Sequence, residues 1–443
     1  MPFGAERLAT MLSAIDPAWR EAKFCVAFSG GLDSTVLLQA MAALIAQGGV
    51  ALRAVHVDHG IQPGSADSAE RCRQTCRRAG IALDVIALGL DTTGGESIEA
   101  AAREARYATL ARQLAPGEWL LTAHHRDDQL ETVLIQLLRG AGVAGLAAMP
   151  ARARLGPGWH ARPLLEVDRA ELAEYAARSG LDWQQDPMND ETRFDRVWLR
   201  TRVLPAIRER WPAAATTVAR SAGHFADASR LLAEMAAADA TGLLDDDRLS
   251  LEGLGRLSRE RRVNLLRWWL RRQGLRPPPA ARLAAAMPGF FEARCDGAPC
   301  LRWDGGEVRR YRGRLYALSP LPDARPAAIA GNGAELDLGT GLGRFGLIPG
   351  ADGGLAEPLP EPVAFRFRVG GESLRPHPGR PRKRLKDLCQ EAGVVPWMRD
   401  RLPLVYAGER LAAVGDLWVD ADFAAGVGQP ALKPVWAGRP RIF

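Results

Sequence analysis

Two stretches of the chain concentrate side chains that can do chemistry. The first reads Ser29-Gly30-Gly31-Leu32-Asp33-Ser34, between the apolar run Phe24–Phe28 and the apolar residues that begin at Val36. Paired glycines between a strand and a helix let the backbone turn tightly and bring its N–H groups close to an anion. The helix N-terminus behind them adds partial positive charge. Ser29 and Ser34 can donate their hydroxyls to the same oxygens. The common phosphate loop places a Lys before its Ser or Thr; here Asp33 holds that place. A carboxylate cannot touch a bare phosphate favourably, but it can hold a Mg²⁺ that bridges phosphate oxygens, or cap the helix.

The second stretch is "TAHHRDDQLET", with His124 and His125 leaving a strand and Asp127, Asp128 and Glu131 opening a helix. Acids in a first helical turn suit the helix dipole. Asp128 and Glu131 also stand at i and i+3, on one face, and two carboxylates there fit a cationic substrate or a metal. Histidine beside acids suits proton transfer. The His-His pair could be half of a zinc site, but no nearby residues complete the set. A third cluster, Arg366 to Lys386, holds eight Arg and Lys residues against the single acid Glu372 up to that point, a composition that suits salt-dependent binding of phosphates.

These residues need a frame that brings them together. From about 22 to 150, apolar runs with polar ends ("KFCVAFS", "ALRAVHVD", "ALDVIAL", "EWLLTAH") alternate with helical patterns at Ser34–Ile45, Ala66–Ala79, Ser97–Leu114 and Asp127–Arg139. Such alternation predicts a parallel sheet with helices on both faces, and in such sheets the ligand sits beyond the carboxyl ends of the strands. Ser29, Asp58–His59 and His124–His125 would converge there. Glu99, Arg103 and Arg106, at i, i+4 and i+7, read as a solvated, salt-bridged face. Residues 213–290 have helical periodicity, and 300–318 read as a hairpin with turns at Asp304–Gly306 and Gly313. The region from about 330 mixes short strands with the basic helix "RKRLKDLCQEAG". The expected domains are 1–213, 214–320 and 330–443. Trp268 and Trp269 read as a core-facing pair flanked by solvated arginines.

The chain has 443 residues, 58 Lys and Arg against 52 Asp and Glu, and 47% hydrophobic residues, values ordinary for a globular protein of several domains with a mild preference for a polyanionic partner. Six scattered cysteines form no CxxC pair, so no zinc finger, iron–sulfur site or disulfide framework is indicated. Glu6 and Arg7 interrupt any apolar leader, and no stretch is long and apolar enough to span a membrane. The expected location is the reducing cytoplasm.

The motif SGGxDS resembles the PP-loop of the N-type ATP pyrophosphatases, which cleave ATP between the α- and β-phosphates. Together with "HVDHG", "ESIEAAAREARY", "AHHRDDQLET", "LLRGAG", "DPMNDETRFDRVWLR" and the C-terminal "RVGGESLRP" and "RLKDLCQEAGVVPWMRDRLPLVYAGERLAAVGDLWV", it resembles the tRNA(Ile)-lysidine synthase family over nearly the whole chain. The resemblance implies an α/β PP-loop ATPase domain, then a helical domain and a small α+β C-terminal domain. It implies a ligase that uses ATP and Mg²⁺ to adenylate the C2 oxygen of the wobble cytidine in the CAU anticodon of tRNA(Ile). Free L-lysine then displaces AMP to leave lysidine, so that decoding shifts from AUG to AUA. By position, Ser29, Gly30, Gly31, Leu32, Asp33 and Ser34 would bind ATP, with His59 and His125 near the nucleotide. Asp33 and Asp127 would place Mg²⁺. Asp128 and Glu131 would hold lysine, and Arg196 would stabilise charge on the reacting groups. Arg200, Arg380, Arg382, Lys383, Arg384 and Lys386 would contact tRNA. The family usually has Asn after Arg196, where this chain has Val197, which puts the local geometry of that loop in question. The alternative is another PP-loop tRNA-modifying enzyme such as a thiolase, which typically needs CxxC pairs. The oligomeric state is open, and a homodimer is compatible with the sequence.

Overall fold

The computed structural model describes residues 2–443 except 47, 49, 59–64, 89–97, 185–194, 294–296, 322–328, 331–334, 340 and 351–352. His59, Gly60 and the "DPMNDETRF" segment therefore lie outside the described residues, as do the side chains of Glu99 and Arg103. The chain divides into two compact units, Met1–Leu231 and Leu232–Phe443.

The first unit opens with α1 (Ala5–Ile15), then β1 (Phe24–Ala27), α2 (Leu32–Ile45), β2 (Leu52–Asp58), α3 (Ser65–Arg78), β3 (Ala82–Ala87), α4 (Ile98–Gln113), β4 (Trp119–Leu121) and α5 (Arg126–Leu138). After the short α6 (Val143–Leu146) come β5 (Arg152–Leu155), β6 (Gly158–Ala161) and α7 (Arg169–Arg178). The sheet order is β3-β2-β1-β4-β6-β5. Its strands run parallel except β5, which forms an antiparallel hairpin with β6. β1 is central, in register with Leu52 on one side of Phe24 and Trp119 on the other. Its side chains alternate between two cores: Phe24 and Val26 join Leu37, Met41 and Trp119, whereas Cys25 and Ala27 join Val55, Leu110 and Leu120. Burial on both faces is why this strand reads as a continuous apolar run. The β5–β6 hairpin and its pairing with β4 have no counterpart in the sequence reading. The signal was the "LGPG" turn, where Gly156 takes φ +53°.

The strand order reverses between β1 and β4. Both strands end there in a loop that leads straight into a helix, α2 and α5 respectively, so the two chemistry-bearing stretches meet at the topological switch point.

A four-residue helix, α8 (Asp195–Trp198), continues through one π-helical turn, Leu199–Val203, into α9 (Leu204–Arg210) and, after Pro212, the long α10 (Ala214–Ala240). The second unit contains the helices Arg259–Arg272 and Ala280–Glu292. They pack with a five-stranded antiparallel sheet that includes Cys300–Trp303, Gly306–Tyr311 and Arg314–Leu318. Trp269 is fully buried there and Trp268 packs against the same core. Among the described residues the C-terminal part has three small sheets: one built on Val363–Phe367, Pro403–Ala407 and Arg410–Val414, one on Arg344–Gly350 and Ala431–Ala437, and a two-stranded pairing of Ser373–Leu374 with Lys383–Arg384. The helix Leu385–Glu391 packs on their shared core through Leu385, Leu388 and Cys389.

Candidate active site

The loop after β1 is held in shape from within. Gly30 takes φ +82°, and a Cβ there would stand 2.9 Å from Gln184 Nε2 and 3.0 Å from Cys72 Sγ. Only glycine fits both the backbone and the space. The Gln184 amide donates to the Gly30 carbonyl at 2.9 Å, and Ser68 Oγ donates to Gln184 Oε1 at 2.7 Å, so α3 braces the loop from behind. Ser34 Oγ donates to the Gly31 carbonyl at 3.0 Å and lies 3.0 Å from Ser29 Oγ. The loop thus shows a cradle of glycine backbone edged by two hydroxyls, the geometry expected for an anion.

The start of α5 is fixed as firmly. Asp128 Oδ2 accepts the His125 amide at 2.9 Å, a side chain reaching back to an otherwise unpaired first-turn donor. Gln129 clasps Met149 with both ends of its amide, donating to the carbonyl and accepting from the N–H at 2.9 Å each. Arg126 donates to the Asp168 carboxylate at 2.7 Å. Asp168 precedes α7, whose Arg169 faces Asp33 at 3.9 Å. Nothing in the spacing of Gln129 or Arg126 marked them as braces, because their partners come from distant loops.

Between loop and helix the charged side chains form one line. His125 Nε2 stands 3.6 Å from Asp33 Oδ2 and 3.5 Å from Asp128 Oδ2. Arg200 engages Glu131 with two contacts, Nε to Oε1 at 2.7 Å and Nη2 to Oε2 at 3.0 Å, and reaches Asp128 Oδ1 at 3.5 Å. Glu131 is fully buried, and His125 and Asp128 nearly so. Burial by itself would lower the His125 pKa, but the contact of its ring N–H with the Asp33 carboxylate and the charges of Asp128, Asp33 and Asp127 raise it. Burial would raise the Asp33 pKa, and His125, with Arg169 and Arg200, holds it below the ordinary carboxylate range. The His125 and Asp33 side chains therefore favour an imidazolium facing a carboxylate. Two buried atoms in this line have no hydrogen-bond partner among the described residues, Asp33 Oδ1 and His125 Nδ1. Buried polar atoms are seldom left so, and an unsatisfied carboxylate oxygen beside a phosphate cradle fits a Mg²⁺ and a nucleotide.

The two adjacent histidines separate in role. His124 Nδ1 lies 2.8 Å from Thr122 Oγ1, which lies 2.8 Å from His160 Nε2, and Arg162 Nη2 donates to His160 Nδ1 at 3.1 Å. His124 thus belongs to a network anchored on β6, and His125 to the Asp33–Asp128 line. Arg196 donates to Thr132 Oγ1 at 3.0 Å, one residue beyond Glu131 on α5. Asp127, expected at the metal, is bound by Arg208 of α9. Arg200, expected on the RNA, faces inward onto the two acids. Arg382 donates to fully buried Asp420 at 2.6 Å, and Lys383 pairs with Glu391 at 3.0 Å, whereas Arg380, Arg384 and Lys386 are exposed. Cys25, Cys72 and Cys76 are buried, and burial pushes their thiols up to about 12, 12 and 11. They are held as thiols, the opposite of what sulfur transfer through a thiolate needs.

A family model for the PP-loop domain matches residues 5–207. With the Gly-rich cradle at the switch point, it defines this unit as a PP-loop ATP-binding domain. Models described as the TilS substrate binding domain and the TilS substrate C-terminal domain match residues 249–316 and 363–436. The chain is 43% identical to a tRNA(Ile)-lysidine synthase of Methylococcus capsulatus, covering 90% of this chain and 92% of that protein. It is 43% identical to one of Alkalilimnicola ehrlichii (95% and 94%) and 39% identical to one of Coxiella burnetii (93% and 92%). The chain belongs to the tRNA(Ile)-lysidine synthase family.

Proposed function

We propose that this protein joins L-lysine to C2 of the wobble cytidine in the CAU anticodon of tRNA(Ile), consuming ATP. The observation that carries the reading is the continuous line from Asp33 at the nucleotide loop through His125 to the buried Asp128 and Glu131. A phosphate cradle and a buried acidic pocket adjoin, as a reaction between an activated base and a cationic amino acid requires.

The C2 oxygen of cytosine is a poor leaving group. Its attack on the α-phosphorus of ATP expels pyrophosphate and converts that oxygen into part of AMP. The lysine amine then bonds to C2, AMP departs, and the amine loses its proton. In this reading the backbone and hydroxyls of Ser29–Ser34 hold the phosphates. Asp33 would hold Mg²⁺, whose charge offsets that of the departing pyrophosphate. Asp128 and Glu131 bind the lysine ammonium and one of them takes its proton. His125, set between Asp33 and Asp128, keeps both carboxylates aligned. Arg196, on the α8 side of α5, offsets charge on the reacting groups. Arg380, Arg384 and Lys386 supply phosphate contacts for the tRNA, on a segment pinned by Arg382 and Asp420. We place the domain boundaries at 1–213, 214–320 and 330–443, and the protein in the cytoplasm. No helix among the described residues is long and apolar enough to cross a membrane. Homodimer formation is tested by light scattering of the eluted protein.

The decisive assay incubates the protein with ATP, labelled lysine and total tRNA. Label should enter position 34 of the CAU-anticodon tRNA(Ile), with release of pyrophosphate. Pyrophosphate release that does not depend on lysine or on that tRNA, with no label in RNA, would overturn the reading.

A further inference from the structure

Glu131 is fully buried, and its carboxylate is occupied on both oxygens by the Arg200 guanidinium. Arg200 also reaches Asp128. A lysine ammonium that enters this pocket must therefore take carboxylate oxygens that an internal cation already holds. The two members of the pair differ in freedom. Glu131 projects from the middle of a well-braced helix, whereas the Arg200 side chain is 37% exposed on the open side of the cluster. Arg200 also sits on the π-helical turn Leu199–Val203, whose entry is tied by Thr201 Oγ1 donating to the Val197 carbonyl at 2.8 Å. Such turns are rare and concentrate at functional sites.

Arg200 has a second anionic neighbour. Asp128, which Arg200 reaches at 3.5 Å, lies 3.5 Å from His125 Nε2, and that atom is 3.6 Å from Asp33 Oδ2 at the nucleotide loop, so Arg200 ends the same charged line. Phosphates bound in the cradle would add more negative charge on that side, while a lysine ammonium would supply the positive charge that Asp128 and Glu131 lose. Resting on the assignment of Asp128 and Glu131 to lysine, we propose that Arg200 is a resident surrogate for the substrate ammonium. It neutralises the buried acids while the pocket is empty and moves toward the nucleotide phosphates when lysine arrives. Lysine and ATP then bind cooperatively, because each favours the same displacement of one guanidinium. Arg200 acts here through the acids and the phosphates, so it is a positioning residue for both substrates. The exchange also keeps a buried carboxylate from being unpaired at any stage, a state that is costly.

Calorimetric titration of the full-length protein with L-lysine, with and without saturating α,β-methylene ATP, tests this. In the wild type, the nucleotide analogue should tighten lysine binding by about 5-fold or more, the lower end of typical coupling. In Arg200→Ala, lysine should bind more tightly than to the nucleotide-free wild type, and the analogue should change its affinity by less than about 2-fold. Should circular dichroism show Arg200→Ala misfolded, Arg200→Lys serves. A single ammonium replaces the two-point fork, so lysine displaces it more easily and nucleotide-free affinity rises. No coupling in the wild type, undiminished coupling in Arg200→Ala, or weaker lysine binding in the variant without nucleotide would each overturn the proposal. Asp128→Asn separates the two levels. If that variant binds lysine like the wild type, the lysine pocket itself is misassigned; if it binds lysine poorly while Arg200→Ala stays coupled, only the role of Arg200 falls.

Discussion

Asp128→Asn removes one charge from the acidic pocket and almost nothing else. Asn keeps one carbonyl oxygen, so it still accepts the His125 amide, now bonded to Asp128 Oδ2 at 2.9 Å, and the start of α5 survives. Glu131 retains Arg200 on both oxygens. What is lost is one of the two carboxylates facing the ammonium. A hydrogen bond to a charged group contributes about 1.5–3 kcal/mol, and 1.4 kcal/mol is about a factor of ten. Lysine affinity should therefore fall by roughly 10- to 150-fold. The nucleotide cradle is built from Ser29–Ser34, and Asp33 keeps its own contact with His125. Affinity for α,β-methylene ATP should stay within about 3-fold of wild type, given that Asp128 meets the nucleotide side only indirectly, through His125 and Arg200. Two titrations on the same preparation, one with lysine and one with the analogue, give the comparison. Unchanged lysine affinity, or an equal loss for both ligands, refutes the division of labour between loop and pocket.

Further outcomes are expected elsewhere. Gly30→Ala forces a side chain into a left-handed backbone, at a cost of about 1–2 kcal/mol, and against Gln184 and Cys72; binding of a fluorescent ATP analogue should fall about 10-fold or more if distortion of the cradle carries that cost into binding. Among the described residues, Arg382→Ala leaves Asp420 buried with backbone donors alone, from Arg375 and Asp422. It should lower the stability of the second unit by about 1–3 kcal/mol in urea, the exposed half of the pair discounting the figure for a buried one. Lys386→Ala, by contrast, should leave stability unchanged and reduce the salt dependence of tRNA binding by about one phosphate contact. Burial would raise the Asp420 pKa, but the Arg375 and Asp422 amides and the Arg382 guanidinium hold it below the ordinary 3.8. Its stabilisation is therefore present above pH 3.8 and lost as pH falls through the lower folded value. Arg382→Ala should begin acid unfolding at higher pH than wild type when followed by tryptophan fluorescence, and coincident acid transitions would contradict the linkage.

Much of the catalytic unit was legible without coordinates, and for physical reasons. The glycine pair ahead of Asp33–Ser34 shows in sequence because a left-handed residue and a close backbone approach admit glycine almost alone, and Gly30 has both features. β1 and β4 declare themselves because strands buried on both faces must be apolar throughout. The acids of α5 share a face by helical spacing alone, so Asp128 and Glu131 could be paired before any fold was known. The four helices expected in this unit differ from the observed ones by only one or two residues at their ends, as capping details decide where a helix begins, whereas the basic stretch expected as a helix from 382 begins with a strand at Lys383–Arg384 and turns helical only at Leu385.

Partner choice between charged residues was decided only by tertiary structure. An arginine's reach of several bonds gives it many candidate partners, and sequence cannot rank them. Arg200 read as an RNA contact, yet the π-helical turn carries it inward to Glu131. Arg382 read like its basic neighbours, yet a buried aspartate 38 positions away in sequence claims it. Asp127 and Asp128 are adjacent and chemically identical, yet the helix points one at Arg208 and the other at His125. The sequence by itself determined the kinds of groups that meet at the crevice and the strand ends that deliver them. Which charges face one another there was set by packing, because burial decides which carboxylates must have a partner and the fold decides which cation is near enough to serve.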